Sequence, residues 1–344
     1  MTAATTRVGV VGPLLGANPG WVVTQGEVLA AHLTEDGLSV QTTSAVVPRV
    51  RRAIDVARTV SRWRGSVDVV IVLAFSGAAF GMTELGIRSA RRLGVPVIVW
   101  LHGGNLPEFV RRHPRRVRRV LDLADRLVAP SPYLAALGTA LGREVAVIPN
   151  VLPAAAEATV RTSARPRVLW MRTFHPLYRP ELAVETFARV RARHPDARLT
   201  LAGQDKGGLP AARSLVVAEG LDGSVDFPGF LDPAGKARAF ADHDVFLNTT
   251  RVDNAPVSLL EAAAHGLVVV STPAGGIVDL FHDGVDSLLA PDADGLADAI
   301  ERVLTEPALA ASLSAAALAL ARSADWAEVG PRWHRLLGEV ADGR

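Results

Sequence analysis

Short apolar runs rich in β-branched residues recur at 8–11, 39–43, 67–73, 95–100, 126–129 and 145–148, most of them unbroken and separated by longer amphipathic segments. A strand buried on one face alternates apolar and polar residues, whereas one buried on both faces is apolar throughout. The runs therefore predict a parallel sheet covered by helices on both sides and linked by right-handed crossovers. The pattern fails over 151–166, VLPAAAEATVRTSARP, which reads as a linker. It then restarts, with strands predicted at 167–171, 198–202, 224–227, 245–248 and 268–271. Two successive Rossmann-like α/β/α domains are expected, over 1–155 and 166–321, and 344 residues with 49% hydrophobic content are ample for two cores. From Asp294 on the chain reads as helical, and Trp326, Val329, Trp333, Leu336, Leu337 and Val340 share one apolar face of its last helix.

Composition narrows the chemistry. The chain has no cysteine, which excludes disulfides, thiolate metal sites and a cysteine nucleophile. Its first residues, MTAATTRVGVVGP, hold too short an apolar run for a secretory leader and read as the approach to a first strand. The longest apolar stretches, 69–75 and 95–101, fall far short of the roughly 20 residues of a membrane span. A cytoplasmic chain is expected. Net charge is +2, yet residues 1–160 carry 18 basic against 11 acidic residues and the remainder 19 against 24. The basic first half points to an anionic partner, either a lipid surface or an acidic acceptor, or else reflects an arginine-heavy composition. No nucleic-acid partner is expected.

In open α/β sheets, ligands bind beyond the carboxyl ends of the strands. The first such loop, Gly12-Pro-Leu-Leu-Gly16-Ala-Asn-Pro-Gly20-Trp21, opens a helix predicted from about Val22. Gly16 and Gly20 permit close backbone approach, and amides at a helix start attract phosphate. The loop is not G-x-G-x-x-G, and no acidic residue ends the second strand, so NAD is not expected. After the strand at 167–171, Arg172 and Arg179 lie seven residues apart, a pair of guanidinium groups able to neutralise a diphosphate. Pro180 then suits the first turn of a helix.

The segment DNAPVSLLEAAAHGLVVVSTPAGGIVD begins at Asp253. Pro256 is expected in a first helical turn, leaving amides near Ala255, Val257 and Ser258 for a phosphate. Glu261 lies deeper in the helix, where a carboxylate can accept hydrogen bonds from neutral diols. Asp242, His243 and Asp244 straddle a helix-to-strand turn and read as capping residues, not as a metal site.

Asp253-x7-Glu261 resembles the E-x7-E signature of family 4 (group 1) retaining glycosyltransferases. Arg172 and Arg179 resemble that family's Arg and Lys on the donor pyrophosphate, and Gly275-Gly276-Ile277-Val278-Asp279 resembles its GGIPE turn. In the first half, Leu101-His102-Gly103-Gly104 resembles its His-bearing loop, and Ile148-Pro149-Asn150-Val151 its IPN-G-V. The resemblance implies a GT-B fold, two Rossmann-like domains facing across a cleft, with the acceptor on the first and the donor on the second. A C-terminal helix, about 322–344, would return to the first domain.

It also implies that Glu261 binds the nucleotide ribose, while Asp253 with Asn254, Pro256 and Val257 approaches the donor sugar and phosphates. Arg172 and Arg179 would stabilise the departing diphosphate, and His102 would orient the sugar. Neither metal nor cofactor is implied. The chain departs from the pattern at Asp253, in place of the first Glu, and at Asn254-Ala255-Pro256, in place of a glycine-aromatic-glycine run. Arg179 stands where Lys is commoner, and Trp21 where a second glycine is. An inactive binding or scaffold homologue, or a GT-B sugar-nucleotide epimerase, are the alternatives.

Outside this constellation, Arg115, Arg116, Arg118 and Arg119 fall on one arc of a helix predicted from Pro114, opposite Val117, Val120, Leu121 and Ala124. The arc reads as an acceptor or membrane contact, at the inner face of a membrane, or as a solvated face.

Overall fold

A computed structural model describes residues 6–152 and 158–343. The expected boundary at residue 155 and the opening MTAAT lie outside the described residues. The chain divides into two compact units, Met1–Pro153 with Asp325–Arg344, and Ala154–Ala324.

Unit 1 is built on a sheet of β1 (Arg7–Val11), β2 (Ser39–Thr43), β3 (Val69–Ala74), β4 (Val97–Leu101), β5 (Arg126–Ala129) and β6 (Val145–Val147). The strands are parallel and ordered β2-β1-β3-β4-β5-β6, with Val8 opposite Val40 on one side and Val69 on the other. Every residue of β3 and β4 is buried, as expected of strands covered on both faces. Val69, Ile71 and Leu73 pack with α1 (Gln25–Glu35) and the last helix, α14 (Trp326–Asp342). Val70, Val72 and Ala74 pack with α2 (Arg49–Arg62), α3 (Phe80–Arg91), α4 (Leu106–Arg112), α5 (Pro114–Leu121) and α6 (Pro132–Leu141). The C-terminal helix thus completes the core of unit 1, and Trp333 lies edge-on to Trp100 at 4.9 Å.

Unit 2 contains β7 (Arg167–Met171), β8 (Arg198–Ala202), β9 (Val225–Gly229), β10 (Val245–Asn248), β11 (Val268–Ser271) and β12 (Leu288–Leu289). Its helices are α7 (Pro180–Arg193), α8 (Leu209–Ala218), α9 (Pro233–Asp242), α10 (Val257–Ala264), α11 (Ile277–Leu280), α12 (Ala293–Thr305) and α13 (Pro307–Arg322). The parallel order β12-β11-β10-β7-β8-β9 is the Rossmann order, with the first and fourth strands of the unit adjacent. The crevice where the strand order reverses therefore lies between the ends of β7 and β10.

Three local expectations are corrected. Helix α1 begins at Gln25 instead of about Val22, because Thr24 and Glu27 form a capping box: Glu27 accepts from the Thr24 amide at 2.7 Å. Pro256 has an extended ψ of 107° and precedes α10 instead of sitting in its first turn. Asp244 is not a cap but a buried ion-pair centre, held by Arg161 at 2.9 Å and Arg165 at 2.7 Å. His243 bonds the Ala239 carbonyl and the Thr200 hydroxyl.

By length and composition, Pro307–Asp342 is apolar enough to cross a membrane, which the scan of unbroken runs does not reveal. It comprises two helices that each bury one face, Leu313 and Ala317 in unit 2 and Val329 and Trp333 in unit 1. That is also the pattern of ordinary core helices.

Candidate functional site

The reversal point of unit 2 gathers four of the expected residues. Arg172 follows β7, and its side chain is largely buried. From Nη1 it donates to Ser258 Oγ at 2.8 Å, and through Nη2 it forms an ion pair with Asp253. Its guanidinium also lies 4.3 Å from the centre of the Tyr178 ring. Burial, the largest single influence, pulls the Arg172 pKa down, but the charge and hydrogen bond of Asp253 together with those of Tyr178 outweigh it and the net direction is upward. The guanidinium is fixed in its cationic form.

Arg179 ends the same loop in the left-handed region, with φ 47°. Its Nε donates to the Thr249 carbonyl at 2.8 Å. Burial, and then the like charge of Arg251, lower its pKa. Among the described residues neither Arg179 nor Arg251 forms an ion pair, and the more distant charge of Glu185 offsets burial and Arg251 only in part, so positive charge remains at the crevice.

The loops that carry these groups are strapped together. The Trp170 indole donates to Thr249 Oγ1 at 2.9 Å, and the Arg251 amide donates to the Leu177 carbonyl at 2.8 Å. On the far side, the Gly276 amide donates to the Asp253 carbonyl at 2.9 Å. Gly275 has φ 62°, and a Cβ there would stand 2.1 Å from that carbonyl, so only glycine fits. Gly203, after β8, is similar: a Cβ would meet the Arg172 carbonyl at 1.9 Å.

Asp253 also accepts the Asn254 amide at 2.8 Å. Past Pro256, the amides of Val257 and Ser258 make no hydrogen bond among the described residues and open the N-terminus of α10. Glu261, one turn further in, is held by Lys236 of α9 at 2.5 Å. The Ser258 hydroxyl, Tyr178, Thr249 and Lys236 are additions to the groups expected from sequence. Lys236 carried one signal, being one of only two lysines in the chain.

The other expected residues belong to unit 1. His102 directly follows β4 and lies between Phe75 and Trp100, with ring centres 5.3 and 4.4 Å away. Burial pushes its pKa down to about 3, so it is neutral at physiological pH. Its Nε2 is buried without a hydrogen-bond partner among the described residues, as is Nε1 of Trp100. Gly16 corrects its expectation: its amide is not free for phosphate but donates to the Glu27 carboxylate at 2.8 Å. Gly20 takes φ 78° in the same loop. Arg115, Arg116, Arg118 and Arg119 are exposed on α5, opposite buried Val117, Val120 and Leu121. Arg116 is paired with Glu84 at 3.1 Å.

The sequence model of the family described as Glycosyl transferases group 1 matches residues 165–306, which contain the whole reversal-point cluster. Over that segment the chain is similar to the group 1 glycosyltransferases. The D-inositol 3-phosphate glycosyltransferase of Acidothermus cellulolyticus is 28% identical over 278 residues, covering 71% of this chain and 62% of that one. The enzyme of the same description from Saccharomonospora viridis is 31% identical over 187 residues, 50% of this chain and 43% of that one. The chain therefore matches less than two thirds of the length of each. Among solved structures, Anabaena Alr3699/HepE in complex with UDP and glucose superposes with a TM-score of 0.77 at 16% identity, covering 97% of this chain and all (100%) of that one. The fold is GT-B.

Proposed function

We propose that this chain is a retaining glycosyltransferase that takes its sugar from a nucleoside diphosphate donor held on unit 2. The observation that carries the reading is the charge pattern at the reversal point. Arg172 is prearranged by Asp253 and Ser258, while Arg179 beside Arg251 forms no ion pair among the described residues. A diphosphate supplies an anion there, and the amides of Val257 and Ser258 offer it further donors. Glu261, acceptor-only and fixed by Lys236, suits the two hydroxyls of a ribose. Asp253, with Asn254 and Pro256, approaches the sugar. His102 offers a neutral imidazole whose unpartnered Nε2 suits a sugar hydroxyl. The UDP and glucose bound to HepE support the same donor class.

In the reaction, the acceptor oxygen forms a bond to the anomeric carbon on the face the diphosphate leaves. The pair from the breaking carbon–oxygen bond passes to the diphosphate, whose oxygen takes the acceptor proton. Arg172 and Arg179 stabilise the negative charge that builds there, the largest contribution fixed dipoles and charges make to such a step. Acceptors carrying a hydroxyl, whether glycan, lipid-linked sugar or small metabolite, fall to unit 1.

A thermal-shift panel of UDP, GDP, ADP and dTDP, followed by transfer and hydrolysis assays with the matching nucleotide sugars, tests the reading. Arg179→Ala, which removes one bond to a carbonyl from the folded protein, is expected to weaken nucleotide binding roughly tenfold to a hundredfold. Glu261→Ala should act similarly. Nucleotide binding that survives both variants sinks the site, and binding without turnover of any donor leaves a sugar-nucleotide-binding protein instead of an enzyme.

A further inference from the structure

The basic excess of the first half is concentrated on one layer of unit 1. Helices α2, α3, α4 and α5, which cover the same face of the sheet, hold 13 arginines and three acidic residues, a net of +10 in a chain whose total is +2. The two helices on the opposite face, α1 and α14, sum to −3, from two arginines against five acidic residues. The acids of the basic layer are engaged: Asp55 accepts from Thr43 of β2, and within the layer Glu84 pairs with Arg88 and Arg116 and Glu108 with Arg111 and Arg112. Asp122, just past α5, pairs with Arg118 and Arg143. Arg115 and Arg119 form no ion pair among the described residues.

The same layer carries exposed aliphatic side chains. Val47 is 37% exposed, Val50 75% and Ile54 47%, spaced three and four residues apart along the outer stripe of α2 and its approach. Arg51, Arg58 and Arg62 continue that stripe, while Val56 and Val60 face the core. Exposed valines are ordinary one at a time. A row of them among arginines matches a lipid interface, where aliphatic side chains enter the acyl boundary and guanidinium groups meet phosphate headgroups. A soluble polyanion would use the arginines and gain nothing from the row.

We propose that the α2–α5 face of unit 1 docks on an anionic phospholipid bilayer, with Val47, Val50 and Ile54 entering the interface and the arginines of α2 and α5 holding the headgroups. This goes beyond the donor chemistry of unit 2 and stands or falls without it: vesicle binding needs no nucleotide, and nucleotide binding needs no vesicle. An amphiphilic acceptor would be met at the surface where it resides.

Flotation of the full chain with vesicles of phosphatidylcholine alone, and of phosphatidylcholine with about one third phosphatidylglycerol, provides the test. Binding to the anionic vesicles only is expected, and it should be released by salt as the Debye length shrinks to a few ångströms. Replacing Arg115 and Arg119 by Ser should lower partitioning by roughly fivefold per residue. Val50→Glu with Ile54→Glu should also abolish it, with circular dichroism melts confirming that these exposed positions leave the fold intact. No binding to anionic vesicles at low salt overturns the proposal. So does equal capture by soluble poly-glutamate with no effect of the Val50 and Ile54 changes, an outcome that assigns the face to an acidic macromolecule.

Discussion

At Arg179 the backbone and the side chain pull in different directions. Its φ of 47° and ψ of 61° place a Cβ where an L residue is disfavoured by roughly 1–2 kcal/mol. Nothing in the fold demands an arginine there except what its guanidinium meets, and strain of this kind gathers at functional sites. Arg179→Gly is therefore expected to be more stable than Arg179→Ala by about 0.5–1 kcal/mol in urea unfolding, since both lack the guanidinium and differ in backbone freedom alone. Equal midpoints would remove the strain argument. His102 gives a second expectation, in pH. Folded, it stays neutral down to about pH 3, whereas the unfolded chain takes up a proton near pH 6.5. Across that window the unfolded state binds more protons, so stability falls as pH falls, by up to about 1.4 kcal/mol per pH unit. His102→Gln should flatten that slope between pH 6 and 4.5, read as the difference in urea midpoints, and an unchanged slope would mean that the ring is not held neutral. Arg172, Arg179, Asp253 and Glu261 were legible in the sequence because each sits in a contiguous motif at a strand end. The Ser258 hydroxyl, Tyr178 and Lys236 were not, since what each touches is settled by another loop or helix.

The elements were legible wherever burial on both faces forced an unbroken run, as in β3 and β4. They were less so where a local bond overrode the apolar period. The capping box of Thr24 and Glu27 moves the start of α1 and also takes the Gly16 amide, so one carboxylate both ends the loop and fills the place expected for a phosphate. The two residues of β12 are too few to show any period. Helix α14 was readable as an amphipathic helix, and its docking shows why its apolar face is so large. Trp333 is fully buried against Trp100, His32 stacks on Trp326 at 4.9 Å, and Asp36 accepts from both Trp326 and His334. Truncating Trp333 to Ala is expected to cost about 3–5 kcal/mol, measured by urea unfolding followed through tryptophan fluorescence. A cost under 1 kcal/mol would show that the helix end lies loosely on the sheet.

For the molecule as a whole, charge counted along the sequence was only half informative. It located the basic excess in the first 160 residues, but only the fold reveals that four helices on one side of one sheet carry it. The assignment to two Rossmann-like units was legible for the opposite reason, since sheet order follows from crossovers that every apolar run repeats. One consequence of the connectivity concerns synthesis. The chain leaves unit 1 before Ala154 and re-enters it at Asp325, so unit 2 is an insertion within unit 1. A ribosome making this protein delivers every residue of the inserted unit before it delivers Trp333. The part translated first is thus the last that can close its core, and until then the α1 side of its sheet, with Trp100 and Ile71, waits uncovered on the nascent chain.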